Sequence, residues 1–371
     1  MIAVRCTFLS RRISVSIVLP YTSGFIKRPS LDRPETCVGL KYEYSKTALR
    51  RLGSTMASLD SAAMAASADL AEIVTSEAHA SPLAFQSFVL DPACRAFIDR
   101  LGPPPDPESV PVSLRRAGLQ AAMTSNSGTG PRVRCVEDLD AGGVPVRVYR
   151  STLDAEAPSP CLVYFHGGGW NAGSVSDYDV QMRALTAAAA GVVVVSVEYR
   201  LAPESPAPAQ IEDALAVLEW LHAGGGGRSL GVDPGRVAIG GDSAGGSITA
   251  AVTQALAAAA GSAFPPIALQ LLVYPSLDLT CSSGLSYEQC ARGYRIETAA
   301  VAFLGRSYAG PLPLADPRVS PLLLPFPGAD GVWARLPRAL IYSAGFDPLR
   351  RCGSGGWWWG ARRVRVCCFC L

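Results

Sequence analysis

Arg236-Val237-Ala238-Ile239-Gly240-Gly241-Asp242-Ser243-Ala244-Gly245-Gly246 is the stretch whose reading decides the fold. An apolar, strand-like run enters a glycine-rich turn, and an alanine-rich segment of helical composition, Ser247 to Ala259, leaves it. The turn contains G-x-S-x-G. Glycines at 241 and 245 allow the chain to reverse sharply between strand and helix, so the Ser243 hydroxyl projects above the sheet at a helix N-terminus, where developing negative charge is favoured. Five residues alone do not separate this from a plain glycine-rich turn with an N-cap serine.

Upstream, His166-Gly167-Gly168-Gly169-Trp170 follows the strand-like Cys161 to Phe165. Glycines at the carboxyl end of a strand leave backbone N–H groups open toward a tetrahedral oxyanion, and the N–H of Ala244 would complete the set. A phosphate-binding loop is the competing assignment, but G-x-G-x-x-G spacing, a P-loop Lys-Ser/Thr pair and an acidic ribose partner are missing. His166 reads as a residue that holds the loop rather than as a base. Downstream, Asp347 lies in Gly345-Phe346-Asp347-Pro348-Leu349, just past the strand-like Ala339 to Ser343. A carboxylate in a loop at the carboxyl end of a strand, after the nucleophile, suits the acid of a Ser-Asp-His series. By residues alone a solvated loop aspartate or helix cap fits equally well.

Between these motifs, short apolar runs (161 to 165, 192 to 198, 236 to 240, 267 to 274, 338 to 343) alternate with helical segments (about 178 to 190, 208 to 223, 244 to 259). Val192 to Val195 is apolar throughout, which suits a strand covered on both faces. The alternation predicts an α/β fold with a mostly parallel sheet and helices on both faces. Segments 132 to 138 and 144 to 150, joined by Asp140-Ala141-Gly142-Gly143, predict an antiparallel hairpin. Asp91-Pro92 opens a helix through Leu101, and a second helical pattern runs from about Glu108 to Met123 after a proline-rich break. These form an N-terminal helical cap, with 83 to 127 and 280 to 315 as the cap contributions to a domain spanning 81 to 350.

With both glycine motifs in hand, the chain resembles the hormone-sensitive lipase family of α/β-hydrolase-fold esterases, marked by HGGG and GDSAGG. Tyr199-Arg200-Leu201-Ala202-Pro203-Glu204 is similar to that family's YRLAPE segment, and Asp316-Pro317 to Ser320-Pro321-Leu322 to another of its stretches. The likeness covers about residues 83 to 350. It implies hydrolysis of carboxylic esters, often of short-chain acyl or aryl type, through an acyl-enzyme, with a small-molecule ester as partner and no metal or cofactor. It implies Ser243 as nucleophile, Gly167, Gly168, Gly169 and Ala244 as oxyanion donors, and Asp347 as acid, with His166 and Asp242 as supporting motif residues.

One element of that pattern has no counterpart. The histidines are His79, His166 and His222, and none follows Asp347. His222 ends the helix before the serine strand, at the amino ends of the strands, and His79 precedes the cap. From Arg351 the chain reads Gly353-Ser354-Gly355-Gly356, Trp357-Trp358-Trp359, a basic stretch and Cys367-Cys368-Phe369-Cys370, without helix or strand period. Residues 351 to 371 are therefore expected to be an off-pattern tail, as a shifted frame or retained intron would produce, with the last strand and helix of the fold missing. The strand Ala339 to Ser343 would then form an exposed apolar edge. Activity of such a chain is expected to be impaired. A catalytically inactive small-molecule binding protein of the same fold, as the gibberellin receptors are, is the alternative from another class.

Composition bounds the remainder. The 371 residues are 49% hydrophobic and 17% charged, enough for a large core. A net charge of +2 supplies no field for nucleic acid or an anionic membrane. The eleven cysteines show no CxxC pairing with nearby histidines, so no zinc site is expected. Residues 1 to 80 read as an extension. Its first thirty residues contain no Asp or Glu but do contain Arg5, Arg11, Arg12, Lys27 and Arg28, the composition of an organellar transit peptide in residues 1 to 55. An upstream extension with Met56 or Met64 as start, and an intracellular, cytoplasmic chain, is the alternative. Ile13 to Leu19 is too short to span a bilayer, so no transmembrane segment is expected.

Overall fold

A computed structural model describes residues 2–7, 14–19, 89–152, 158–223, 225–259, 266–282, 284–324, 335–350 and 364–369. In chain order the elements are β1 (Ile2–Thr7), β2 (Ser14–Leu19), α1 (Pro92–Leu101), α2 (Val112–Ser127), β3 (Cys135–Asp140), β4 (Pro145–Arg150) and β5 (Ser159–Phe165). They continue with α3 (Asp179–Ala188), β6 (Val193–Val197), α4 (Ala209–His222), α5 (Gly226–Ser229), β7 (Val232–Asp242) and α6 (Ala244–Ala258). The last are β8 (Leu269–Val273), α7 (Ser286–Gln289), α8 (Thr298–Ala309), β9 (Arg338–Ala344) and β10 (Val364–Phe369).

Eight of the described strands form one sheet in the order β10-β9-β8-β7-β5-β6-β4-β3. From β10 to β6 every pairing is parallel, and β4 and β3 join antiparallel at the other edge. The sheet thus reverses its winding at β5, and β5 and β7, separated in sequence by β6, lie side by side. Ligands of open α/β sheets bind outside the carboxyl ends of the strands at such a switch point.

Side-chain alternation along each strand decides which helix covers which face. Val163 and Phe165 of β5, Val195 and Val197 of β6, and Val237 and Ile239 of β7 pack with Ala214, Val217 and Leu218 of α4 and Ile248 and Val252 of α6. Leu162 and Tyr164 point the other way, toward Met182 and Leu185 of α3. All five residues of β6 are buried, as its uninterrupted apolar run requires. Each fully buried Val, Leu or Ile contributes about 1.5–3 kcal/mol, so this two-faced core holds the strand ends in place.

Several sequence expectations need correction. The second N-terminal helix begins at Val112, not near Glu108. Pro111 takes the N-cap position, and Glu108 belongs to a turn in which its N–H donates to Asp106 Oδ1 (3.0 Å). The expected missing last strand is present: Val364–Phe369 forms β10, parallel to β9, with Val364 opposite Ala339 and Phe369 opposite Ala344. β9 is therefore not an open edge. A run rich in Val, Cys and Phe suits a strand, and the parallel ladder on β9 supplies partners that no local pattern announces. At the other terminus, the acid-free stretch read as targeting sequence contains an antiparallel pair, β1 with β2, in a separate two-stranded sheet. Ile2, Val4 and Cys6 stand opposite Leu19, Ile17 and Val15, a period-two signal masked by the basic composition. Among the described residues no helix is long and apolar enough to cross a membrane.

Candidate active site

Ser243 joins β7 to α6, with φ 52° and ψ −114°, a left-handed conformation that a non-glycine residue adopts only under constraint from its surroundings. Those constraints are visible. The Ser243 N–H donates to Val273 O of β8 (2.8 Å), and its carbonyl accepts from Ser247 N and Ser276 N (both 3.2 Å). The turn closes because residues 241 and 245 lack side chains: a Cβ on Gly245 would run into the carbonyl oxygen of Phe165, and one on Gly241 into Gly245 and the same oxygen. The β5 backbone thus passes directly against the turn. Ser243 stays partly accessible while Asp242 and Ala244 beside it are buried.

The loop after β5 is wired to this turn through Asp242. Its Oδ1 accepts from Gly167 N (2.9 Å) and Tyr164 Oη (3.0 Å), and its Oδ2 accepts from Tyr178 Oη (2.8 Å). Burial pushes the Asp242 carboxyl up to about 6, although these donors pull it down. Gly167 N also approaches Tyr178 Oη (3.1 Å), so this amide is occupied at the back of the loop. Gly167 is therefore not placed as an oxyanion donor, in contrast to the expectation from sequence. No acceptor among the described residues takes the N–H of Gly168 or Gly169, and Ala244 begins α6, where the first N–H groups have no intrahelical partner. These three amides are without a protein acceptor among the described residues.

His166 is fully buried. Its Nδ1 lies 2.7 Å from Gly167 O, its ring stacks on Tyr199 (4.3 Å between centroids), and its own carbonyl accepts from Tyr199 Oη (2.7 Å). Burial lowers its pKa to about 4, so at neutral pH it is an uncharged donor to the loop.

Asp347 follows β9. With β8 between β9 and β7, the strand ends bearing Asp347 and Ser243 are two strand spacings apart, about 10 Å. Asp347 is buried and its Oδ1 accepts from Leu349 N (2.8 Å). Burial raises its carboxyl to about 6 against the opposing pull of the Leu349 hydrogen bond and the Arg350 charge. The loop is braced by α7: Ser286 Oγ donates to Pro348 O (2.7 Å), and Arg350 donates to Gln289 Oε1 (2.6 Å) and to Gly345 O. His222 ends α4 and precedes the amino end of β7, so the eleven-residue strand separates it from Ser243. His79 lies outside the described residues.

Two helices cover the loop. From α2, Arg116 donates to Asn171 O (2.7 Å) and to both carboxylate oxygens of Glu204 (3.0 and 2.7 Å), and Leu119 stands against Gly168. From α8, Leu304 stands against Gly169, and Tyr308 stacks on Trp170 at 4.4 Å. The two helices also meet each other through Arg115 over the Phe303 ring, and Arg306 of α8 pairs with Glu108 (2.8 Å) in the turn before α2. Sequence reasoning missed Tyr164, Tyr178 and Arg116. Tyr164 sits two residues before the glycine motif and could have been weighed, whereas Tyr178 and Arg116 carry no local signal.

A strand-turn-helix serine beside a glycine loop, at the switch point of a mostly parallel sheet, defines an α/β-hydrolase-fold protein with a serine-type site. The Abhydrolase_3 family, alpha/beta hydrolase fold, matches residues 162–355. The chain belongs to this family, an HSL-like carboxylesterase family of the alpha/beta hydrolase fold. It is 42% identical over 224 residues to Esterase LipI of Mycobacterium tuberculosis, covering 59% of this chain and 67% of the relative. To Carboxylic ester hydrolase LipN of the same organism it is 40% identical over 229 residues, covering 60% and 58%. The chain thus spans between 58% and 67% of the length of these two relatives. Among solved structures, an esterase from Pyrobaculum calidifontis superimposes with a TM-score of 0.65 at 31% identity, over 76% of this chain and 89% of that one.

Proposed function

We propose that the site works by covalent serine catalysis on small carboxylic esters of short-chain acyl or aryl type, with Ser243 forming the acyl-enzyme. The observation that carries this reading is the constrained Ser243 in a turn that Asp242 hydrogen-bonds to the glycine loop, whose Gly168 and Gly169 amides have no acceptor among the described residues. Attack of Ser243 Oγ on the ester carbonyl generates a tetrahedral oxyanion, which the N–H groups of Gly168, Gly169 and Ala244 stabilise, helped by the amino end of α6. Collapse expels the alcohol, and water then releases the acid. Asp347 is the acid of the series, buried and at the correct end of the sheet. The relatives named as esterase and carboxylic ester hydrolase support the reaction class.

The proton acceptor sets the rate. Within the 371 residues no histidine follows Asp347, and His166 and His222 are held elsewhere. Among the described residues no imidazole hydrogen-bonds Ser243, and a serine hydroxyl without a base is a weak nucleophile. Loss of one member of such a triad costs on the order of 10⁴ to 10⁶ in turnover and leaves the oxyanion donors. We infer that a polypeptide of these 371 residues is a very slow esterase. Turnover of p-nitrophenyl acetate and butyrate by the chain and by Ser243→Ala tests both parts. A slow rate that disappears in Ser243→Ala supports them, and Ser243-dependent turnover above about 1 s⁻¹, within the ordinary enzyme range, refutes the impairment. A rate unchanged in Ser243→Ala refutes the role of Ser243.

A further inference from the structure

We propose that Tyr178 is a positioning residue that aims the oxyanion loop by bridging Gly167 to Asp242. This deepens the serine-ester reading and rests on it. Three observations point to the bridge. First, the Tyr178 hydroxyl hydrogen-bonds on both sides of the site: it donates to the Asp242 carboxylate at Oδ2 (2.8 Å), in the residue before Ser243, and accepts from Gly167 N (3.1 Å), in the residue before Gly168. Second, the Gly167 peptide is gripped from both directions. Its N–H is shared between Asp242 Oδ1 (2.9 Å) and Tyr178, and its carbonyl faces His166 Nδ1 (2.7 Å). The 166–167 peptide is thereby held through its N–H and the 167–168 peptide, which carries the Gly168 N–H, through its carbonyl, so the direction of the Gly168 amide is set from both sides of Gly167. Third, the loop closes on itself at Tyr178, which is the N-cap residue of α3, with Tyr178 N donating to Ser174 O (3.3 Å). The ring's placement thus depends on a rigid helix packed beneath the sheet, and the bridge transmits that rigidity to the loop.

Tyr164 supplies the internal control. It also donates to Asp242, at Oδ1 (3.0 Å), but no hydrogen bond joins it to the loop amide. Removing its hydroxyl takes a donor from the same carboxylate and leaves the Gly167–Tyr178 contact standing. A merely structural role for the buried network would make the two tyrosines equivalent. A positioning role makes them different.

The test compares wild type, Tyr178→Phe and Tyr164→Phe as full-length chains. The readouts are amide hydrogen exchange at Gly167 and the rate at which a fluorophosphonate labels Ser243. In Tyr178→Phe, Gly167 exchange is expected to quicken at least ten-fold and labelling to slow about ten-fold. Both are expected to stay within three-fold of wild type in Tyr164→Phe. Equal effects in the two variants, or wild-type behaviour of Tyr178→Phe in either readout, overturn the proposal. Should Tyr178→Phe not fold, the wild-type Gly167 amide decides. A slowly exchanging Tyr178 hydroxyl proton with a cross-peak to the Gly167 amide supports the bridge, and no such cross-peak overturns it. A wild type whose label falls on a residue other than Ser243 sinks the serine-ester reading instead, and Gly167 exchange still judges the bridge.

Discussion

Asp242→Asn is expected to remove a pH dependence from folding stability and to gain stability relative to wild type as pH rises toward neutral. The carboxyl of Asp242 moves from an ordinary value of 3.8 to about 6 because burial disfavours its charge more than its three donors favour it. Raising a carboxyl on folding means that the native state binds more protons than the unfolded chain between those values. The stability associated with this group is therefore fully present below pH 3.8 and lost as pH rises through 6. The difference, at 1.36 kcal/mol per pH unit, is about 3 kcal/mol. Asparagine resembles the protonated acid. Its oxygen can accept from Gly167 and Tyr164, and its NH₂ can meet Tyr178, whose hydroxyl rotates and has two lone pairs with which to accept. The Tyr178 O–H gives up its acceptor in this exchange, a cost of about 1–3 kcal/mol that does not vary with pH. Urea denaturation at half-unit steps from pH 4 to 7.5 measures the difference between variant and wild type. Relative to its standing at pH 4, Asp242→Asn is expected to gain about 3 kcal/mol on wild type by pH 7. A difference that stays flat with pH refutes the reasoning, because it would mean that Asp242 ionises without desolvation cost.

His166 works in the opposite sense: its pKa falls from 6.5 to about 4 on burial, so stability is present above 6.5 and lost as pH falls through 4, to the extent of about 3 kcal/mol. An imidazole that titrates by NMR near 6.5 in the folded protein would contradict this. Gly245→Ala is expected to prevent the turn from closing, since its methyl would occupy the space of the Phe165 carbonyl, and soluble folded protein with wild-type melting would contradict that packing. Arg116→Ala should change global stability by no more than about 1 kcal/mol, because the Glu204 pair is partly exposed. It should nevertheless speed limited proteolysis around α2, and an unchanged digestion rate would show that Arg116 does not tether that helix. Val366→Pro removes an N–H from β10 in the middle of its pairing with β9 and should produce aggregation visible by light scattering. A monodisperse variant with unchanged melting would mean that β10 does not protect the β9 edge.

Two kinds of information meet at this site, and they divide along physical lines. Local sequence was sufficient for the turn at Ser243, because a strand-to-helix reversal demands small residues at 241 and 245, and for the start of α1, where Asp91 caps and Pro92 fits the first turn. It was also sufficient for the all-buried β6, because its run of valines has no polar face to offer water. Local sequence could not show that β5 lies beside β7, since strand order is a property of crossovers. Nor could it show that β10 covers β9, since edge pairing depends on what stands opposite. The same limit applied to Gly167. Its residue type fits an oxyanion donor, but the amide points at Asp242 and Tyr178, groups 75 and 11 residues away that only the folded sheet brings to it. Short-range sterics write the turn and its serine into the sequence. The direction of each amide is decided by tertiary contacts among residues that carry no local signal.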